Sequence, residues 1–159
     1  MDGWGRMIKS GVKWGNMFLG EYQHTIDEKG RLALPSKFRL RLKTGAIMTR
    51  GIDNCLFVFT KEEWEMLANK LMSLPLTQAN SRAFTRLMLS GAAAIDLDKQ
   101  GRTLVPDYLR KYASLEKEAV IIGLYRRVEI WNQEEWEKYK ARTEKESEKI
   151  AEQLKELGI

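Results

Sequence analysis

Two aspartates, Asp27 and Asp98, are each followed four residues later by an arginine, Arg31 and Arg102. Two carboxylates in one chain could work as a general acid and base. A private arginine at fixed spacing suits charge pairing instead, because it keeps each carboxylate ionised. The chain has a single histidine, His24, and a single cysteine, Cys55. A Ser-His-Asp or Cys-His centre would need His24, and nothing in the sequence puts it beside a nucleophile. His24 falls on an expected strand, where a place at a subunit contact is the simpler reading. Cys55 is expected as buried packing at the start of a strand. A lone cysteine excludes an intramolecular disulfide framework and fits a reducing cytoplasm. No Cys/His cluster has metal-ligand spacing, and no glycine-rich loop has the spacing of a phosphate cradle. The sequence therefore leads us to expect no enzyme, no catalytic residue, no metal and no cofactor.

The arginines have a second possible chemistry. The formal charge is +5 and the isoelectric point is near 9.3. The charge is unevenly spread. From Lys29 to Lys43 stand Lys29, Arg31, Lys37, Arg39, Arg41 and Lys43, with no acidic residue. A second basic group, Lys99, Arg102, Arg110 and Lys111, is opposed only by Asp107. Such clusters are the footprint of a phosphate-binding surface. Two readings of Asp-x-x-x-Arg stay open. In one, the pair holds a turn or spans a subunit boundary. In the other, Arg31 and Arg102 face DNA, with Asp27 and Asp98 as positioning partners. The candidate DNA-binding set is Lys29, Arg31, Lys37, Arg39, Lys99, Arg102 and Arg110.

These residues belong to a repeat. Asp27 to Arg39 and Asp98 to Arg110 share Asp, Gly, Arg, Pro and Arg at a constant offset of 71. Each copy reads as strand, tight turn, strand and short helix. Gly30 and Gly101 suit the turn, since glycine accepts positive φ. Pro35 and Pro106 end the strand at Leu34 and Val105 and start the helix, Ser36–Leu42 in the first copy. The match resumes at an offset of 72 from Gly51 to Trp64 and from Gly123 to Trp136. Leu56–Phe59 and Val128–Trp131 are the matching strands. Thr60 and Asn132 each precede a glutamate by three residues, the signature of a capped helix start. Helices are expected over 62–74 and 77–89, separated by Pro75, with a long charged helix over 134–157. A unit of roughly 45 residues can barely bury a core alone, so the two copies are expected to interlock. The uncharged stretches 71–81 and 87–95 are too short to span a membrane.

Met17-Phe18-Leu19-Gly20-Glu21-Tyr22, the two Asp-x-x-x-Arg elements and the tandem order closely resemble the MraZ family of bacterial regulators. The resemblance covers residues 17 to about 145. It implies an α+β fold of two pseudo-symmetric AbrB-like swapped-hairpin β-barrel half-domains with flanking helices. It also implies a sequence-specific transcriptional regulator of its own division and cell-wall operon promoter. The implied partners are double-stranded DNA with direct repeats and further copies of the chain in a homo-oligomeric ring. No membrane association is expected; the implied location is cytoplasmic and nucleoid-associated. The alternatives are a ring-forming protein-interaction module or an AbrB-type antitoxin. The expected units are an N-terminal extension over 1–16, a first SpoVT/AbrB-like repeat with helices over 17–88, and a second with the C-terminal helix over 89–159. The family usually begins at the equivalent of Met17. Trp14-Gly15 must be encoded by a G-rich run where a ribosome-binding site would precede that methionine. Residues 1–16 are accordingly expected to be translated leader, with a true N-terminal arm as the alternative.

Overall fold

The computed structural model describes residues 17–159, so the expectation for residues 1–16 lies outside the described residues. The first repeat folds as β1 (Phe18–Thr25), β2 (Arg31–Ala33), α1 (Ser36–Leu42), β3 (Ala46–Arg50) and β4 (Leu56–Thr60). Two helices, α2 (Lys61–Met72) and α3 (Ala79–Ser90), lead to the second repeat. There follow β5 (Ala93–Ile95), β6 (Arg102–Leu104), α4 (Asp107–Tyr112), β7 (Glu118–Tyr125) and β8 (Arg127–Asn132). The chain closes with α5 (Gln133–Lys145), α6 (Ser147–Gln153) and a 3-10 turn, Lys155–Leu157. Pro35 and Pro106 stand at the N-caps of α1 and α4, their φ angles near −53° and −55° already suited to a helix entry. Thr60 Oγ1 accepts a hydrogen bond from the Glu63 N–H at 3.2 Å, and Asn132 Oδ1 accepts one from the Glu135 N–H at 3.0 Å. Each satisfies one of the free amides of a helix start.

The strand partners are exchanged between repeats. One six-stranded antiparallel sheet runs β1-β7-β8-β4-β3-β5, and β2 pairs only with β6 in a separate two-stranded ribbon. The expected local pairing of β1 with β2 shrinks to one bridge, Ile26 to Leu32. Along its length β1 instead pairs with β7, from Phe18 opposite Tyr125 to Thr25 opposite Glu118. The sheet order is a palindrome under exchange of the repeats. In the ribbon Leu32 faces Thr103, its own counterpart. In the sheet Phe57 faces Glu129, again its own counterpart. An antiparallel pair of counterparts marks a pseudo-two-fold axis, and the axis runs through both places.

The fold is thus mixed, with tandem interlocked units. Among the described residues no sheet closes on itself, so the expected barrel is not present as a continuous ring of strand pairing. The strands β2 and β6, three residues each, pair with each other rather than with a sheet edge. Other boundaries also move. β2 ends at Ala33, because the Leu34 N–H is taken by Gly101 O at 3.0 Å in the turn of the other repeat. The expected single helix over 134–157 breaks at Glu146. Its first part lays the half-buried Trp136 and Tyr139 against the core, whereas every residue of α6 is exposed.

Burial welds the halves. One face of the sheet holds Phe18, Leu32, Leu34, Phe38 and Leu42 together with Val105, Leu109, Ile121, Val128 and Ile130. The opposite face holds Phe57, Phe59, Leu71, Met88, Val120, Ile122 and Trp131 under α2, α3 and α5. Every residue of β4 is buried, as expected of a central strand covered on both faces. Symmetry breaks beside β3. There β5 is only three residues long, and the C-terminus of α3 takes the next places. Thr49 Oγ1 donates to Met88 O at 2.6 Å, and Arg50 Nη1 donates to Leu87 O and to Ser90 Oγ, both at 3.1 Å.

Phe38 of α1 meets Phe18 and Tyr22 edge-on, with ring centroids 5.2 and 5.3 Å apart. Removing this buried ring leaves a cavity against β1 of the first repeat and β7 of the second. Phe38→Ala is expected to cost about 3–5 kcal/mol. The variant and the parent are both expected to unfold in one transition by calorimetry. Two separate transitions, one per repeat, would contradict the shared core.

Candidate nucleic-acid interface

Each Asp-x-x-x-Arg element builds a turn from its own carboxylate. Asp27 Oδ1 accepts from the Lys29 and Arg31 amides, both at 2.9 Å, while Oδ2 accepts from Arg31 Nε at 2.7 Å. In the second copy Asp98 Oδ1 accepts from the Gln100 and Arg102 amides at 2.9 Å, and Oδ2 accepts from Arg102 Nε at 2.9 Å. The backbone closes the same loop twice. Asp27 N–H donates to Arg31 O and Gly30 N–H to Asp27 O; Asp98 N–H donates to Arg102 O and Gly101 N–H to Asp98 O. Gly30 and Gly101 have φ of 84° and 75°, a conformation costly for any residue with a Cβ. The aspartate therefore does two jobs: it shapes the turn and fixes the start of the arginine side chain.

The ribbon brings the two turns side by side. Successive strand residues point to opposite faces. Leu32 and Thr103 face the core and are buried. Arg31, Ala33, Arg102 and Leu104 form the opposite face, with Arg31 opposite Leu104 and Ala33 opposite Arg102. Arg102 Nη1 also lies 4.0 Å from Asp27 Oδ2, a link between the repeats. Each Nε is engaged by its aspartate, and the Arg31 and Arg102 side chains stay 36% and 28% exposed. A shallow concavity of about 410 Å³ is lined by Lys29, Arg31, Asp96, Leu97, Asp98, Arg102 and Leu104.

The remaining candidates fall at different places. Lys29 and Lys99 are exposed in the two turns, and Lys37 is exposed on α1. Arg39 and Arg110 are half-buried on α1 and α4. Arg39 Nε donates to Leu34 O at 2.8 Å, and Arg110 Nη2 donates to Asp107 Oδ1 at 3.3 Å. Leu104 escaped the sequence reading although it is 57% exposed at the end of β6 on the outer face of the ribbon, opposite Arg31. Its signal was present: it aligns with Ala33, one position before a buried Leu or Val, so alternation assigns it outward.

Electrostatics agree with the geometry. Backbone donation from Arg31 is the largest cause that holds the Asp27 carboxyl below the usual range; desolvation opposes it, and the Arg31 side-chain bond and the Lys29 amide add to the lowering. Arg102 does the same for Asp98. Burial and then the charge of Arg39 push the pKa of His24 below the ordinary imidazole value. His24 stands on β1 opposite Ala119. Cys55 is fully buried, and burial followed by the Glu129 charge pushes its thiol pKa up, which suits packing rather than nucleophilic chemistry. Among the described residues no group of three or more His, Cys, Asp or Glu could hold a metal ion, and no helix is long and apolar enough to cross a membrane.

Comparison with known proteins adds kinship to this geometry. The family described as "MraZ protein, putative antitoxin-like" matches twice in tandem, over residues 17–87 and 88–157. The protein named transcriptional regulator MraZ of Syntrophomonas wolfei subsp. wolfei is 48% identical over 143 residues, covering 90% of this chain and 100% of that one. The regulator of the same name in Desulforamulus reducens is 51% identical over 141 residues, covering 89% and 99%. That of Acetivibrio thermocellus is 51% identical over 143 residues, covering 90% and 100%.

Two outcomes test the turn. Gly101→Ala forces an alanine into positive φ and is expected to cost about 1–2 kcal/mol from backbone strain, with more from the overlap of its Cβ with Arg39. Chemical denaturation measures it. The aspartates set an acid limit. Their folded pKa values lie below the unfolded value of about 3.9, so their contribution is present above that pH and is lost as pH falls through the folded values. Amide protection of the two turns is expected to stay level from pH 8 to 5 and to fall only in stronger acid. A loss near neutral pH would contradict carboxylate-built turns.

Proposed function

The chain belongs to the MraZ family, and from that premise we propose that it is a DNA-binding transcriptional regulator reading its operator with the β2–β6 ribbon. The observation that carries this reading is the meeting of two Asp-braced arginines, Arg31 and Arg102, on the outward face of one ribbon. A two-stranded antiparallel ribbon fits the major groove of B-DNA, and an arginine there can bond both acceptors of a guanine. The aspartates hold each guanidinium by Nε, so that its Nη groups can meet the base, with Arg102 Nη1 also lying 4.0 Å from Asp27 Oδ2. Lys29 and Lys99, at the tips of the turns, reach backbone phosphate. Lys37 adds exposed positive charge on α1, while Arg39 and Arg110, half-buried on the flanking helices, lie beside the turns. The names of the relatives favour this reading over an antitoxin or a pure interaction module.

The finer picture follows from the same kinship. The units run over 17–88 and 89–159, each a swapped-hairpin half of one pseudo-dimeric body. The operator is a set of direct repeats before its own division and cell-wall operon, and the protein acts in the cytoplasm on the nucleoid. The halves are not identical: Phe59 corresponds to Trp131, and Glu28 to Lys99. Contacts between protomers are therefore heterologous and close into a homo-oligomeric ring. Exposed Met66, Met72 and Leu76 on and after α2 supply apolar surface for them.

Arg31→Ala and Arg102→Ala are each expected to weaken operator binding by about 1–3 kcal/mol per lost bidentate contact, with unfolding unchanged. Lys29→Ala and Lys99→Ala are expected to weaken operator and random DNA alike, and to reduce the slope of log affinity against log salt by about one each. Filter binding across a salt series measures both. Arginine variants that are folded and bind at parental affinity would remove the ribbon from the DNA interface. Light scattering coupled to sizing tests the ring: a stable monomer or simple dimer on an inverted repeat would defeat it.

A further inference from the structure

The turn glycines are buried although the turns around them are exposed. What covers them comes from the other repeat. A Cβ built on Gly30 would overlap the guanidinium of Arg110, and one built on Gly101 would overlap that of Arg39. The backbone makes the same crossing. Val105 N–H donates to Gly30 O at 2.9 Å, and Leu34 N–H donates to Gly101 O at 3.0 Å. Each turn therefore touches the opposite repeat twice, once through its glycine carbonyl and once through its bare Cα.

We propose that Arg39 and Arg110 are crossed positioning residues, each holding the base-reading turn of the other repeat in place. The proposal rests on the ribbon being the DNA-reading element. A planar guanidinium fits flat against a glycine peptide, which a lysine ammonium on a flexible stem does not. Both guanidiniums are aimed by a local acceptor. Arg39 is held by the buried Leu34 carbonyl, and Arg110 by exposed Asp107, which Lys111 Nζ shares at 3.1 Å. The first turn is thus held by the more easily disturbed latch. The consequence is coupling: neither arginine of the ribbon face can be placed by its own repeat alone.

The test is hydrogen exchange on the whole free chain, read peptide by peptide, beside operator binding across a salt series. Arg110→Ala is expected to speed exchange about tenfold in residues 27–31 and to leave 98–102 unchanged. Arg39→Ala is expected to do the reverse. Operator affinity falls by about tenfold in each, with the salt slope unchanged, because no phosphate contact is lost. Asp107→Asn keeps the guanidinium but loosens its aim, and is expected to give the Arg110→Ala pattern in milder form. It serves if Arg110→Ala fails to fold. Unchanged exchange in the opposite turn, or faster exchange in the turn of the same repeat, overturns the proposal. So does unchanged exchange with a salt slope smaller by about one, the mark of direct phosphate contact. Crossed exchange in a chain without salt-dependent operator binding would leave the latch standing and remove the DNA reading.

Discussion

The pairing of β2 with β6 is the constraint on which the rest depends. These strands are three residues each, and they meet at Leu32 and Thr103, on the pseudo-two-fold axis. Their inner side chains are buried in the common core, which no single repeat could enclose. Their outer face is where Arg31 and Arg102 come together. Loss of this pairing would separate the two arginines and at the same time expose Leu32, Leu34 and Val105. Stability and the proposed function are joined at that point because one short ribbon has both a core face and an outward face that carries the two arginines.

Ion pairing alone would not hold such a site. The Arg31–Asp27 pair has side chains each about a third exposed, and exposed pairs of this kind contribute little. The turns are shaped by directed hydrogen bonds to backbone amides and by glycines at positive φ. The energy comes from burial of Phe18, Phe38, Ile121 and their neighbours. Carboxylates then set direction rather than strength. This division leaves the charged surface free to answer to salt and to a polyanion without endangering the fold.

Symmetry is close in the hydrogen bonds of the two turns and relaxed away from them. The turns superpose bond for bond. At the sheet edges β1 is eight residues long and β5 is three, because the end of α3 occupies the remaining places beside β3. A tandem chain can treat its two copies differently where a dimer of identical chains could not. The turns keep the same hydrogen bonds in both copies, whereas the ribbon's outer face already sets Ala33 against Leu104, and the periphery, with its exposed α2 and α3 residues, makes the copies more distinct.

Much of this was legible in the residues. The repeat, the turns at Gly30 and Gly101, the helix starts after Pro35 and Pro106, and the caps at Thr60 and Asn132 are local: each depends on groups within four or five positions. The charge clusters are equally local. Strand exchange was not legible in the same way. β1 offers the same hydrogen-bonding groups to β2 as to β7, and only shared burial decides between them. The place of Leu104, and the crossing of Arg39 and Arg110 onto the opposite turns, follow from that decision. The break at Glu146 was hidden for the converse reason, since nothing beyond Tyr139 packs firmly enough to hold the helix to one axis. By itself the sequence determined two copies of a carboxylate-built turn bearing an arginine. Only the tertiary structure decided that the two turns share one ribbon, because non-local strand pairing is selected by a core that exists only once both copies are folded.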